Sequence, residues 1–120
     1  MIEILLRMAR AHTGRLGVVI VRGASMLPTL RDGHRLVVRY GSRPRVGSLV
    51  VARLPDGTIV IKRAFELRAT GWWLLSDNPS VGLGDSRAWG AVPQERILAV
   101  AVARLWPRPA RLSRTPPAGA

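Results

Sequence analysis

Lys62 is the only lysine of the chain, and the other eighteen basic residues are arginines. An arginine side chain stays protonated at any working pH, whereas a lysine in an apolar setting can lose its proton and act as a general base. Lys62 stands in the strand-like sequence Val-Ile-Lys-Arg, next to apolar residues. A coding bias toward arginine would also explain a lone lysine, but these surroundings make Lys62 a candidate for proton transfer.

Ser25 is the candidate nucleophile that such a base would serve. It lies in residues 23–30, Gly-Ala-Ser-Met-Leu-Pro-Thr-Leu, where a strand-like segment ends and a turn begins. The small neighbours Gly23 and Ala24 would let a substrate chain approach closely. A serine hydroxyl is a poor nucleophile without an adjacent base. Lys62 lies 37 positions after Ser25, so only the tertiary fold can bring the two together.

A polar loop over residues 76–90 is the third candidate for the site. It carries Asp77 and Asn78 in an Asp-Asn-Pro turn, and then Asp85 and Arg87 in the sequence Gly-Asp-Ser-Arg. These groups could line a cleft and brace the base. They could equally form a hydrogen-bonded loop scaffold with a local Asp85–Arg87 ion pair. The two interpretations are compatible.

Composition excludes several other chemistries. The absence of cysteine rules out disulfides, thiolate catalysis and cysteine-ligated zinc. His12 and His34 are too few and too far apart for a histidine metal cluster, so we expect neither a metal nor a cofactor. The net charge of +12 would suit nucleic acid or an anionic membrane surface. However, the arginines are scattered, and no nucleic-acid-binding signature accompanies them.

The elements that must position these residues are short strands. Apolar segments between Gly/Pro turns predict strands at 16–22, 34–40, 47–54, 58–65, 71–75 and 97–105. The sequence Pro-Asp-Gly at 55–57 predicts a hairpin turn between two of them. One helix among many strands indicates a mainly-β fold, and the length fits one domain.

The two ends of the chain differ from the predicted domain at residues 15–106. Residues 1–14 predict a short amphipathic helix, which could pack on the domain or contact a membrane surface through residues 1–11. The proline-rich residues 107–120 predict a disordered tail. No apolar run approaches the ~20 residues of a transmembrane helix, and no secretory signal peptide is present. We therefore expect a protein of the cytoplasm or of the membrane periphery.

Three motifs, taken in order, resemble the signal peptidase I family of Ser/Lys serine proteases. They are Gly-x-Ser-Met-x-Pro-Thr-Leu at 23–30, Val-Ile-Lys-Arg at 60–63 and Asp-Asn…Asp-Ser-Arg-x-x-Gly at 77–90. Each motif alone is a weak signal, whereas the ordered set is specific and spans about 18–107. The resemblance implies a contorted β-fold shared with LexA-type repressors. It also implies a serine endopeptidase that removes an N-terminal leader or signal peptide from a precursor protein.

The resemblance also implies roles for individual residues. Ser25 would be the nucleophile, Lys62 the general base, and the Ser25 backbone N–H an oxyanion donor. Gly23, Ala24 and Met26 would belong to the oxyanion and substrate cleft. A supporting loop would be formed by Asp77, Asn78, Ser80, Asp85 and Arg87.

Three positions depart from the family pattern. Gly23 occupies a position where many members carry a serine that donates to the oxyanion, and Ser76 replaces the glycine that usually opens the third motif. Leu83 stands where a serine usually hydrogen-bonds the lysine. Ser80 is the candidate replacement for that serine. If nothing replaces it, the chain would be a weak or inactive member of the family.

Other functions remain open alongside the leading one. A narrower resemblance, to maturation proteases of nickel-type superoxide dismutase, rests on Gly-Trp-Trp at 71–73, Asp-Asn-Pro at 77–79 and Leu-Trp-Pro at 105–107. A LexA-like self-cleaving domain would share the dyad, although no DNA-binding domain precedes Ser25. A basic nucleic-acid-binding β-domain would suit the charge, but one Tyr and one Phe offer little base stacking.

Overall fold

The fold is mainly β, as the sequence predicts. The computed structural model describes residues 4–8, 16–81 and 84–114. The strands in this part of the chain are β1 (Ile4–Met8), β2 (Leu16–Val21), β3 (Arg35–Tyr40), β4 (Leu49–Arg53), β5 (Ile59–Arg68), β6 (Gly71–Leu75), β7 (Ile97–Trp106) and β8 (Ala110–Arg111). They form one antiparallel sheet in the order β1-β2-β3-β7-β4-β5-β6, and β8 pairs with β7. A short helix, α1 (Ser86–Trp89), and 3-10 turns at Pro79–Val81 and Gln94–Arg96 complete the described elements.

Strand β4 lies between β7 and β5 in the sheet, and its residues Leu49 to Ala52 are buried on both faces. Successive side chains of a strand point to opposite faces. Accordingly, Leu49 and Val51 belong to one hydrophobic cluster and Val50 and Ala52 to another. This explains why the segment reads as a continuous apolar run instead of an alternating one. The central strands therefore separate two apolar clusters, and a polar side chain entering either cluster leaves water.

Strand β5 carries a basic residue to each of these two faces. Ile61 packs in the first cluster, while Val60 and Ala64 pack in the second. By strand alternation, Lys62 points to the face of Val60 and Arg63 to the face of Ile61. Both side chains are buried, at 0% and 2% exposure. The hairpin that leads into β5 is the predicted one, with Gly57 at φ +90° and the Leu54 N–H donating to the Thr58 carbonyl at 2.8 Å.

The predicted N-terminal helix is wrong in the part of residues 1–14 that the structure describes. Ile4–Met8 form β1, which pairs antiparallel with β2 from Ile4↔Val21 to Met8↔Gly17. Periodicity cannot distinguish helix from strand in so short an apolar segment. The unpaired N–H and C=O groups along the outer edge of β2 then decide the outcome, because a strand satisfies them. The other residues of the predicted helix lie outside the described residues.

The predicted disordered tail is wrong over residues 107–114. Ala110–Arg111 form β8 and pair with β7, and Leu112 packs against the first hydrophobic cluster. The Ser113 carbonyl accepts a hydrogen bond from Arg63 Nη1 at 2.7 Å. The proline-rich composition therefore did not prevent this segment from packing on the sheet, because backbone hydrogen bonds to β7 and the Leu112 side chain hold it there. Residues 115–120 of the predicted tail lie outside the described residues.

Candidate active site

Lys62 is a buried amine held by one hydroxyl group. Its Nζ donates to Ser76 Oγ at 2.9 Å, and its side chain is 0% exposed. Burial lowers the pKa of Lys62 from its usual 10.5 to about 8, although the charge of Asp85 opposes this shift. Desolvation disfavours the ammonium form more than the neutral amine. A minor fraction of Lys62 is therefore neutral, and able to accept a proton, at pH 7, and this fraction grows as the pH rises through about 8.

Ser25 borders the same cleft as Lys62. The cleft has a volume of about 660 Å³, and Gly23, Ala24, Ser25 and Lys62 contribute to its lining. Ser25 lies in the loop that follows β2 and is 8% exposed. Most of the remaining wall is contributed by the β4–β5 hairpin and by the segment around α1: Leu54, Asp56, Thr58, Val60, Gly84 and Trp89. The fold thus brings the candidate nucleophile and the candidate base to one concave surface.

The polar loop holds the backbone on which Ser25 stands. The Asn78 N–H donates to the Ser25 carbonyl at 2.9 Å, and Asn78 Nδ2 donates to the Ala24 carbonyl at 2.9 Å. On the other side of the serine, the Gly23 N–H donates to Asp32 Oδ1 at 2.8 Å. These bonds leave the loop little freedom to move. A fixed backbone is what nucleophilic attack at a set distance requires.

A buried ion pair braces this loop against β5. Arg63 donates from Nε to Asp77 Oδ1 at 3.1 Å and from Nη2 to Asp77 Oδ2 at 2.6 Å. Thr29 Oγ1 also donates to Asp77 Oδ2, at 2.5 Å, and the Asp77 N–H donates to Met26 Sδ at 3.4 Å. Asp77 therefore ties the serine loop to the strand that carries Lys62.

Asp85 supports the lysine through Ser76. Its Oδ2 accepts from the Ser76 N–H at 3.0 Å, and its Oδ1 accepts from Arg87 Nε at 3.0 Å. Asp85 also caps α1 by accepting from the Arg87 N–H. Burial alone would raise the pKa of Asp85, but hydrogen bonds from Arg87 and Ser76 outweigh it, and the pKa lies below its usual value. Asp85 is therefore an anion that fixes the residue bonded to Lys62.

The structure sorts the remaining predicted residues by location. Gly23 and Ala24 line the cleft, whereas Met26 lies in the hydrophobic core at 1% exposure. Ser80 is exposed and donates its N–H to Asn78 Oδ1, and the described contact of Lys62 Nζ is with Ser76. Leu83 lies outside the described residues.

Sequence reasoning missed the role of Ser76. The departure from glycine at that position was visible, but its contact with Lys62 was not, because Ser76 lies 14 positions from the lysine. Arg63 and Thr29 were missed in the same way as partners of Asp77. A polar side chain that replaces a family glycine next to the site was the available signal.

Comparison with known proteins identifies the family of the chain. Residues 3–88, which contain Ser25 and Lys62, match the family described as Peptidase S24-like. A relative, the mitochondrial inner membrane protease subunit 1 of Schizosaccharomyces pombe, is 30% identical in an alignment 118 positions long, and this alignment covers 77% of this chain and 74% of the relative. No solved structure matches the chain. The chain belongs to the Peptidase S24-like family and is a peptidase related to the signal peptidases.

Two further observations bear on the surroundings of the site. No helix in the described part of the chain combines the length and the apolar character that crossing a bilayer requires. Among residues 4–8, 16–81 and 84–114, no three acidic or histidine side chains converge as metal ligands would.

Proposed function

We propose that this peptidase is a serine endopeptidase with a Ser25/Lys62 dyad, and that it removes an N-terminal leader from a precursor protein. The observation that carries the proposal is Lys62: a fully buried amine with a pKa of about 8, bonded to a hydroxyl, in the cleft that Ser25 also lines. A surface lysine would have none of these properties. A buried structural lysine would be expected to have a carboxylate partner.

The reaction follows from the two side chains. Lys62 Nζ accepts the Ser25 hydroxyl proton while Oγ bonds to the scissile carbonyl carbon, and the carbonyl oxygen becomes an oxyanion. The C–N bond then breaks, Lys62 returns the proton to the leaving amine, and an acyl-enzyme remains. Water attacks the acyl carbon, Lys62 accepts its proton, and the proton passes to Ser25 Oγ as the acid product leaves. The Ser25 N–H is the candidate oxyanion donor, a contribution worth ~3–4 kcal/mol.

The cleft favours small and apolar substrate residues. Its walls include Leu54, Val60 and Trp89, and glycine or alanine next to Ser25 leaves room for an extended chain. This agrees with leader peptides that carry small residues at positions −1 and −3 from the cleavage site. The substrate is therefore proposed to be a leader-bearing precursor protein.

Two narrower versions of this function are open. In the first, the substrate is a precursor of nickel-type superoxide dismutase, and in the second, the enzyme acts at a membrane surface. The tryptophans shared with maturation proteases of nickel-type superoxide dismutase have structural roles as well. Trp72, for example, is 4% exposed and donates from Nε1 to Gln94 Oε1. The relative's name places that protein at the mitochondrial inner membrane, which motivates a test with lipid. Both versions call for a substrate panel.

Peptide cleavage by the wild type and by Ser25→Ala tests the proposal. The panel holds leader peptides with Ala-x-Ala sites and a leader-bearing precursor of nickel-type superoxide dismutase, each with and without lipid vesicles. We expect cleavage by the wild type and none by Ser25→Ala. The rate should rise with pH through a midpoint near 8 and level off at higher pH, because the neutral amine is the active form. Cleavage that survives in Ser25→Ala would refute the dyad, and Thr70→Ala, at an exposed position outside the cleft, serves as a hydroxyl-removal control.

A further inference from the structure

A second pocket, separate from the catalytic cleft, is lined by arginines. Its volume is about 370 Å³, and its polar lining consists of Arg39, Ser42, Arg43, Arg45, Ser48 and Arg114. Val100 and Val102 of β7 complete the lining. Arg39 pairs with Val100 in the β3–β7 register, so their side chains share one face of the sheet. The two pockets have no lining residue in common.

The charge in this pocket is not balanced by the described residues. Four arginines of the described chain form ion pairs with carboxylates, namely Arg22, Arg63, Arg68 and Arg87. Over residues 4–8, 16–81 and 84–114, no such pair involves an arginine of the second pocket. Four like charges around one concavity raise the local potential and repel one another. A bound anion would remove this repulsion.

Hydrogen bonds hold the backbone near Arg45 and Arg114, whereas the four arginine side chains of the pocket are exposed. The Arg45 N–H donates to Ser48 Oγ, and the Ser48 N–H donates to the Arg45 carbonyl, both at 2.9 Å. Next to these residues in the chain, the carbonyls of Gly47 and Ser113 accept hydrogen bonds from Arg63 Nη1, at 2.9 and 2.7 Å. The Arg63 guanidinium therefore fastens the segment that carries Ser113 and Arg114 to the turn that carries Arg45.

Gly47 allows this close approach of the two segments. Its φ is +91°, and a Cβ at this position would collide with the Arg114 carbonyl. The close packing of the Gly47 and Arg114 backbones therefore places Arg114 beside the pocket. A fixed backbone keeps these arginines near one another, which lowers part of the entropy cost of gathering them around an anion.

We propose that this pocket binds a phosphate group. Guanidinium groups match the oxygens of phosphate in bidentate pairs, and a phosphate monoester offers three oxygens and up to two negative charges to several arginines at once. The volume suits a small ligand or a single headgroup. A soluble phosphate ester and a phosphate headgroup of a lipid share this chemistry. The proposal does not depend on the catalytic dyad.

Thermal unfolding of the full chain with sodium pyrophosphate tests the proposal, with sodium chloride at matched ionic strength as the reference. We expect the wild-type Tm to rise by roughly 5 °C when pyrophosphate is at about ten times its Kd. The double variant Arg43→Gln/Arg114→Gln should bind at least about tenfold more weakly by calorimetry, since it loses two charge-assisted contacts. Its Tm without anion should equal or exceed that of the wild type, because repulsion is relieved.

The control is Arg53→Gln/Arg108→Gln, which removes the same charge from exposed positions outside the pocket and should keep wild-type affinity. An absent Tm shift in the wild type, or equal loss of affinity in both double variants, would overturn the proposal. Oligonucleotide binding that both variants weaken equally, with no pyrophosphate binding, would also overturn it, because diffuse charge would then explain binding.

Vesicles distinguish the two sources of the phosphate. Co-sedimentation with vesicles that contain phosphatidic acid, lost in Arg43→Gln/Arg114→Gln and competed by pyrophosphate, would identify a lipid headgroup. Pyrophosphate binding without vesicle binding would identify a soluble phosphate ester. Vesicle binding that the pocket variant retains in full, together with no response to pyrophosphate, would contradict the proposal.

Discussion

Lys62 and Arg63 are neighbours on β5, and both are buried, yet the two faces of the sheet treat their charges in opposite ways. Arg63 meets a carboxylate and two carbonyls: it forms a bidentate pair with Asp77 and donates to Gly47 and Ser113. Lys62 meets the hydroxyl of Ser76 at its Nζ, in a cleft with apolar walls. The first site stabilises a permanent cation, and the second destabilises one.

This difference separates a structural basic residue from a candidate catalytic one. Arg63 is a permanent cation because arginine stays protonated at any working pH, and its bidentate bond to Asp77 holds the loop that carries Asp77 and Asn78. A buried amine that is desolvated, and hydrogen-bonded to a neutral hydroxyl, gives up its proton more easily. Burial alone therefore does not identify a base. The type of the buried group and its partner together decide its role.

The largest expected effect is the loss of catalysis in Lys62→Arg. Arginine keeps the positive charge but cannot accept the Ser25 proton, so we expect kcat/KM to fall by about 10⁴-fold or more. Peptide cleavage with purified protein measures this effect. A variant that keeps more than about a tenth of wild-type activity would show that Lys62 is not the base, and circular dichroism checks that it is folded.

On the other face, Arg63→Met should destabilise the fold. The substitution leaves the Asp77 carboxylate buried at 3% exposure without its bidentate partner, and breaking such a pair costs about 3–5 kcal/mol. Urea unfolding measures the change. Arg53→Met, at an exposed position of β4, is the matched control and should change stability by less than about 0.5 kcal/mol. Equal effects in the two variants would mean that the ion pair does not brace the loop.

The same substitution at the neighbouring position should act in the opposite direction. Lys62→Met replaces a buried ammonium with an apolar side chain of similar volume. We therefore expect the free energy of unfolding to rise by roughly 1–3 kcal/mol at pH 6–7, and we expect complete loss of activity. In the wild type, the folded-state pKa is about 8 and the usual value is 10.5. Between these values the unfolded chain binds more protons, so wild-type stability rises with pH. The advantage of Lys62→Met should therefore be full below pH 8 and shrink toward pH 10.5.

Urea unfolding at pH 6.5, 8, 9 and 10 measures this trend. An advantage that is constant over this range would point to packing, and not to the charge of Lys62, as its cause. A loss of stability at pH 6.5 would contradict a destabilised cation at this site.

Ser76→Ala should give the smallest of these effects. Without the hydroxyl, Lys62 Nζ loses its described partner, and we expect kcat to fall by about 10- to 100-fold through poorer orientation. The midpoint of the pH–rate profile should stay near 8, because burial is the main cause of the lowered pKa. Ser80→Ala is the matched control, since Ser80 is exposed, and its kcat should be unchanged. A reversed ranking of the two variants would restore Ser80 as the supporting residue.

Much of the strand pattern was predictable from local sequence. The Pro-Asp-Gly turn and the apolar segments around it predict the β4–β5 hairpin, because turn geometry and strand alternation depend on neighbouring residues. The two errors at the chain ends have one physical cause. Ile4–Met8 and the segment around Ala110–Arg111 become strands because β2 and β7 offer backbone partners, and such partners are set by distant parts of the chain.

For the candidate site, the sequence by itself determined the chemical types of the residues: one lysine among arginines, a serine that follows two small residues, and the polar loop at 76–90. These follow from side-chain chemistry and need no coordinates. Only the tertiary structure decided that Ser76 contacts Lys62, that Arg63 pairs with Asp77, and that Asn78 holds the Ser25 backbone. Each of these contacts joins residues at least 14 positions apart. The burial that lowers the Lys62 pKa is likewise a property of packing, because no local sequence specifies how much water a side chain retains.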